Sequence, residues 1–297
     1  MNKKRLGLVG VGRMGHGLAA CLLRAGYSVS FLSHQGNQDS KDLLEVGAAS
    51  VDSIAALCER SDWLLICVTG SPEVEAIVLG PNGVLQSSHR PELVIDFSTA
   101  IPDSTVKLAK AFASQSILFM DAAMTRTPKE AAEGRLNLLV GAEEATFQMA
   151  RPLLEKLAEN ITHAGGVGAG HRLKLLHNFV SLGSVALLSE AAACADAMGI
   201  SLEVFADTLE KGGGRGAALE RVRPFWLEGD PRGLRFTVAN AAKDLSYYLE
   251  MSAQTSVAAP IARGVSAQLE GFQTSGSGNR LMPELYRLMR EASGPAR

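Results

Sequence analysis

Cysteines, aromatic residues and an excess of either charge are all scarce in this sequence. Its 297 residues include four cysteines, Cys21, Cys58, Cys67 and Cys194, none in C-x-x-C or C-x-x-H spacing. Disulfide frameworks and zinc sites cluster their ligands, so neither is expected, and the four are read as reduced thiols of a cytoplasmic protein. Aromatic residues make up 5% of the chain, and 29 Lys+Arg face 31 Asp+Glu, a formal net charge of −2. A nucleic-acid surface needs a positive field and stacking platforms, and this composition supplies neither. The basic Met1-Asn2-Lys3-Lys4-Arg5 start leads into apolar residues. Glycines, Arg13 and His16 interrupt them, which excludes a signal-peptide core. The chain is also read as having no stretch of about 20 nearly uncharged residues able to span a bilayer.

What is present is a well-mixed globular composition, 46% hydrophobic and 20% charged. At about 150 residues per domain, the length favours two domains. Short apolar, β-branched runs at 6–9, 28–32, 63–68, 93–96, 117–121 and 138–140 are predicted strands. Helical periodicity lies between them at 14–25, 53–59, 73–79 and 104–113. Strands that are apolar throughout, alternating with helices, imply a parallel sheet covered on both faces. Beyond residue 164 the strand signals stop. A glycine cluster (Gly165, Gly166, Gly168, Gly170) opens a long apolar helix expected over 171–198. Further helices follow, with Pro224 among the breakers and residues 274–279 as a flexible loop. The expected architecture is α/β. A Rossmann-type doubly wound domain (1–164) is followed by an all-α domain (165–297), with the long helix joining them. A helix so apolar needs burial on several sides, which fits a homodimer or homotetramer.

Gly10-Val11-Gly12-Arg13-Met14-Gly15 is a G-x-G-x-x-G run placed between a predicted strand and a predicted helix. Gly10 permits the tight turn, Gly12 lets the backbone approach a pyrophosphate, and Gly15 lets strand and helix pack closely. The helix N-terminus behind it offers unpaired N–H groups to phosphate. The second strand ends at Ser33-His34, with no carboxylate to bind a ribose or repel a 2′-phosphate. That favours NADP and leaves NAD open, although the arginine that usually meets the 2′-phosphate is missing.

Four more segments, in this order and at these separations, make the chain resemble the β-hydroxyacid dehydrogenase family (3-hydroxyisobutyrate dehydrogenase and its relatives). They are Val94-Ile95-Asp96-Phe97-Ser98-Thr99; Asp121-Ala122-Ala123-Met124-Thr125-Arg126-Thr127 with Glu133-Gly134-Arg135-Leu136; Gly168-Ala169-Gly170-His171-Arg172-Leu173-Lys174 running on to Asn178; and Ala242-Lys243-Asp244-Leu245. The resemblance covers nearly the whole chain. It implies a nicotinamide-dependent oxidoreductase, with Val68, Thr69, Thr99 and Lys243 joining the glycine loop as cofactor residues. It places Thr125, Arg126 and Thr127 in the substrate loop. The family pattern there is D-A-P-V-S-G-G, so Arg126 and Thr127 stand for two glycines. An Arg-Thr pair in this loop is similar to the subgroup containing sulfolactaldehyde reductase.

Moving a hydride to or from a carbon requires a partner for the proton on oxygen. With no metal-binding constellation in the sequence, a side chain must serve. Lys174 lies early on the apolar helix, beside the glycine hinge where a cleft is expected, and Asn178 lies one turn on, on the same face. An ordinary lysine, with a pKa of about 10.4, is a poor base at neutral pH, and desolvation lowers that value. The guanidinium of Arg126 suits a carboxylate, phosphate or sulfonate. The expected substrate is therefore a small anionic β-hydroxy acid, or hydroxy sulfonate, and its aldehyde. An imine reductase would share the architecture but usually lacks the lysine. A non-catalytic NAD(P)-binding sensor would have no use for the Lys174–Asn178 pair.

Overall fold

The computed structural model describes residues 3–292. Eight strands form one sheet in the order β3-β2-β1-β4-β5-β6-β7-β8. They are β1 (Leu6–Val9), β2 (Val29–Leu32), β3 (Ala49–Val51), β4 (Trp63–Ile66), β5 (Leu93–Asp96), β6 (Leu118–Thr125), β7 (Leu136–Gly141) and β8 (Ala158–Gly165). The helices between them are α1 (Arg13–Arg24), α2 (Lys41–Glu45), α3 (Ile54–Glu59), α4 (Ser71–Leu79), α5 (Pro102–Ala113), α6 (Pro128–Glu133) and α7 (Glu144–Leu157). Alternate residues of one strand enter different cores. Trp63 and Leu65 of β4 pack with Leu6, Leu8, Leu93 and Ile95. Leu64 and Ile66 pack with Val9, Val94 and Phe112. Both faces of the sheet are therefore covered, which is why these strands read as unbroken apolar runs.

The fold departs from the sequence-based expectation in four respects. The sheet is not wholly parallel, because β7 pairs antiparallel with β6, Ala122 opposite Val140. β3 and β8 were not expected. The first is three residues long, and the second (AENITHAG) is largely polar, with exposed residues that suit the sheet edge it occupies. Pro224 does not break its segment but lies inside a helix, and residues 273–277 form a wide helical turn kinked at Gly276, with φ +89. The long helix α8 (Ala169–Ala197) does meet, by length and composition, the test for a bilayer-spanning segment that the sequence was read as lacking. Its Leu182, Val185, Ala186 and Ala192 instead pack into a helical core. All four cysteines are free thiols. Burial pushes the Cys67 thiol up to about 12, with the Asp96 charge adding to the effect, so it stays protonated.

The sequence places the domain boundary at 164/165; the compact units part between Lys174 and Leu175. The first turn of α8 belongs with the sheet because Asp121, on β6, caps it. Its carboxylate accepts from the backbone N–H of Gly168 at 2.6 Å and of His171 at 2.7 Å. Gly168 has no side chain to serve as cap, so a neighbouring strand supplies one, a contact of the kind worth about 1–2 kcal/mol. Close approach requires glycine on both sides. A Cβ at Gly170 would lie 2.3 Å from the Leu139 carbonyl oxygen, and one at Gly141 would lie 2.5 Å from the Asp121 carboxylate.

The second unit gathers the rest of α8 with α9 (Leu202–Lys211), α10 (Ala217–Glu228), α11 (Val238–Ser252), α12 (Pro260–Phe272) and α13 (Leu285–Ala292). Leu219, Val222, Trp226, Leu245, Leu269 and Leu285 form its core. No strand lies among its described residues, only an isolated bridge between Thr237 and Leu281.

Gly170→Ala should destabilise the first unit by about 3 kcal/mol, since backbone rather than a mobile side chain stands in the way. A urea unfolding midpoint equal to that of the parent would contradict this account of the α8 docking.

Candidate active site

The parallel strands β1, β4 and β5 end side by side, and β2 and β3 lie on the far side of β1. The strand order reverses between β1 and β4, and crevices at the carboxyl ends of strands around such a point bind ligands in open α/β sheets. Three loops emerge there: Gly10–Gly12, Val68–Gly70 and Ser98–Thr99.

The glycine loop is built as its spacing requires. Gly10 has φ +94, and a Cβ there would lie 2.2 Å from the Cys67 carbonyl oxygen. A Cβ at Gly15 would lie 1.9 Å from the Gly10 carbonyl oxygen. At Gly12 a Cβ would meet nothing within 4 Å. Space is thus kept open above the backbone, where α1 begins without a side-chain cap. An open glycine cradle facing uncapped helix N–H groups fits a pyrophosphate. Arg13 is exposed and Met14 half-buried at this helix start.

Asn37, which sequence reasoning missed, holds this loop in place. Its Oδ1 accepts from the Val11 N–H at 3.1 Å, and its Nδ2 donates to the Leu32 carbonyl at 2.9 Å. A loop asparagine carries no sequence signal for such a role. Ser33 and His34 are exposed after β2. The His34 Nδ1 accepts from the Gly36 N–H at 3.0 Å, which places the ring proton of the neutral form on Nε2. At the neighbouring loops, Ser98 Oγ accepts from the Val68 N–H at 3.0 Å, tying two predicted cofactor segments together. Thr69 is exposed and Thr99 half-buried.

Beneath these loops lies a buried polar cluster that the sequence did not single out as functional. Asp96 and Asp121 end two adjacent apolar runs and are register partners across β5 and β6. A carboxylate closing an apolar run is a readable anomaly, and it could have marked both residues, although β6 continues past Asp121 to Thr125. Burial pushes the Asp96 carboxyl above the ordinary carboxylate range, and the Asp121 charge adds to this against the lowering by His171 and Ser98. Lys174, one turn beyond His171, is 9% exposed.

The substrate-loop residues sit where β6 ends. Thr125 is buried, and its Oγ1 accepts from the Asn137 side-chain amide at 3.0 Å. Thr127 caps α6 in a capping box with Glu130. Arg126 has φ +79, a conformation natural to the glycine the family has there and costly for a side-chain-bearing residue. Its guanidinium donates to the Arg135 carbonyl and pairs with Glu159 on β8, and the Arg126 partner holds the Glu159 carboxyl below its ordinary range. The charge expected to meet a substrate is thus engaged by a carboxylate of the protein itself.

In the helical unit, Asn178 and Lys243 share a partner that the sequence reading did not assign. Buried Asp244 accepts from the Asn178 side-chain amide at 2.6 Å and pairs with the Lys243 ammonium at 3.0 Å. Lys243 also lies over the Tyr247 ring, 5.1 Å from its centroid. The His177 ring contacts the Asn178 Oδ1 at 3.0 Å. No grouping of His, Cys, Asp and Glu suited to a metal ion exists among the described residues.

Residues 5–166 match the family model for the NAD binding domain of 6-phosphogluconate dehydrogenase. Residues 168–289 match that for the NAD-binding region of NADP-dependent 3-hydroxyisobutyrate dehydrogenase. The chain is 29% identical over 299 residues to 2-(hydroxymethyl)glutarate dehydrogenase of Eubacterium barkeri, covering 98% of this chain and 96% of the relative. It is 31% identical over 220 residues to 3-hydroxyisobutyrate dehydrogenase of Pseudomonas aeruginosa, covering 74% of each. With 3-sulfolactaldehyde reductase of Escherichia coli the identity is 26% over 97% of each. The crystal structure of 3-hydroxyisobutyrate dehydrogenase from Salmonella typhimurium has the same fold. Its TM-score is 0.84 at 24% identity, covering 96% of this chain and 100% of that one.

Gly12→Ala separates folding from binding at this site. The open space at that position predicts an unchanged melting temperature without ligand, with nicotinamide dinucleotide affinity lowered about 10- to 100-fold by the methyl group in the pyrophosphate path. Calorimetric titration and melting of the same preparation check both halves.

Proposed function

The chain belongs to the β-hydroxyacid dehydrogenase family and is an NAD(P)-dependent oxidoreductase, and from that premise we propose that it interconverts a small anionic β-hydroxy acid, or hydroxy sulfonate, and its aldehyde. One observation carries the reading most directly. A glycine cradle left open at Gly12 stands in the same compact unit as a buried lysine on the first turns of α8.

Gly10, Gly12, Arg13, Met14 and Gly15 hold the pyrophosphate, with Val68, Thr69 and Thr99 lining the neighbouring strand ends. When bound, the nicotinamide supplies or accepts the hydride. NADP is the preferred form: Ser33 and the Nε2–H of His34 are donors suited to a 2′-phosphate, and no carboxylate stands at the end of β2 to repel one. Lys174 gives a proton to the carbonyl oxygen during reduction and recovers it during oxidation, or donates a charged hydrogen bond to the forming alkoxide. Asn178, held by Asp244, orients the same oxygen from the same face of α8.

Thr125, Arg126 and Thr127 receive the anionic end of the substrate. Arg126 serves as its clamp by exchanging Glu159 for the substrate's acid group, an exchange supported by the exposure of Glu159. The reading includes a cytoplasmic homodimer or homotetramer, supported by apolar side chains exposed along α8, Val180 at 65% and Leu187 at 72%.

The deciding experiment follows NADPH and NADH oxidation against short semialdehydes ending in carboxylate or sulfonate, with a neutral aldehyde and a cyclic imine as controls. Turnover confined to the anionic aldehydes is expected, and turnover of the imine alone would overturn the reading. Lys174→Ala should lower kcat about 10²- to 10⁴-fold while retaining dinucleotide affinity, whereas a sensor protein would be indifferent to it. Glu159→Gln should lower KM for anionic aldehydes several-fold. An unchanged KM would remove Arg126 from substrate binding.

A further inference from the structure

The buried imidazole of His171 has no part in the chemistry proposed above, yet it is bonded on both sides and fully enclosed. Its relative exposure is 0%. Nε2 lies 3.1 Å from the Ser98 carbonyl oxygen, and Nδ1 lies 2.7 Å from the Thr105 Oγ1 on α5. Two carboxylates approach the ring, Asp96 near Nε2 and Asp121 near Nδ1, each at 4.0 Å. The hydrogen-bond inventory orients the ring. A carbonyl can only accept, so Nε2 carries a proton. The Thr105 hydroxyl is 3.1 Å from the Ile101 carbonyl, which already accepts from the Thr105 backbone N–H. The 2.7 Å contact between Nδ1 and the Thr105 Oγ1 holds the ring from its other side.

The elements joined in this way matter. Ser98 offers its carbonyl to His171 while its Oγ accepts from the Val68 N–H, so the ring touches the segment that spaces two cofactor loops. The backbone N–H of His171 is itself one of the two held by Asp121. Lys174 follows three residues later on the same helix, one turn on. A displaced first turn would carry the lysine with it, and a misplacement of about 1 Å can cost about 10²-fold in rate.

We propose that His171 is a positioning residue for Lys174, a two-sided connector that sets the α8 first turn in register with the Ser98–Thr99 cofactor loop. The proposal rests on the assignment of Lys174 as the proton-handling group. It deepens that assignment by naming what holds the lysine in place.

The test is a double-mutant cycle read per dinucleotide-binding site, so that loss of folded protein does not count as loss of function. His171→Ala should lower kcat about 100-fold with dinucleotide affinity nearly unchanged. His171→Gln keeps a side-chain amide that can donate to the Ser98 carbonyl and bond the Thr105 hydroxyl, and should recover most of that loss. Added to Lys174→Ala, His171→Ala should do almost nothing further, because a residue acting through Lys174 has nothing left to position. Full kcat in His171→Ala would overturn the proposal. So would a glutamine variant as poor as alanine, or the same fold-loss in both backgrounds. If the alanine variant does not fold, Thr105→Val removes one side of the connector and should lower kcat about tenfold; unchanged turnover there would overturn it equally. Normal turnover in Lys174→Ala alone would remove the underlying assignment instead, a result distinct from any His171 outcome.

Discussion

The carboxylate of Asp121 is the contact on which the rest of the first unit's active edge depends. It accepts two backbone N–H groups at the start of α8, from Gly168 and His171. A helix start without a capping side chain of its own leaves donors unpaired, and burying them unpaired is costly. By supplying the missing acceptor from β6, the sheet fixes where α8 begins and hence where Lys174 stands. Gly141 and Gly170 are the steric conditions for this contact, since a side chain at either would collide with backbone or with Asp121 itself.

Around that contact the unit repeats one device, a polar side chain fastening a loop by its backbone groups. Asn37 holds Val11 and Leu32, and Ser98 holds Val68. The bonds to Val11 and Val68 join segments far apart in sequence, and all three act at the carboxyl ends of the parallel strands. Such bonds contribute little to net stability, about 1 kcal/mol each. Their effect is to fix the loops at the strand ends in set positions relative to one another. The helical unit does the same with Asp244, which gathers Asn178 and Lys243.

Arg126 shows how local sequence and tertiary setting can pull apart. A guanidinium in a substrate loop reads as an anion clamp. In the structure it is joined to Glu159 and the Arg135 carbonyl and its backbone holds the left-handed conformation of a glycine, so the side chain also ties the β6 end to the sheet edge. Glu159 lies 33 residues away on β8, a largely polar edge strand that hydrophobic patterning does not reveal. The position thus inherits a backbone suited to glycine and adds a charge whose first partner is internal.

Much was legible in the sequence because it depended on short-range physics. Buried strands must be apolar, so β1, β4 and β5 stood out. A G-x-G-x-x-G run between strand and helix has few other uses, and Gly10, Gly12 and Gly15 do what their spacing requires. Lys174 and Asn178 were expected on one helix a turn apart, and both lie on α8. Only the tertiary structure decided the rest. The antiparallel turn of β7, the polar edge strand β8 and the retention of Pro224 inside a helix depend on what packs alongside, which no window of sequence contains. The same holds for Asp121 capping α8, for His171 between Ser98 and Thr105, and for Glu159 against Arg126. A hydrogen bond needs its partners within about 3 Å. Chain folding, not chain order, sets that distance.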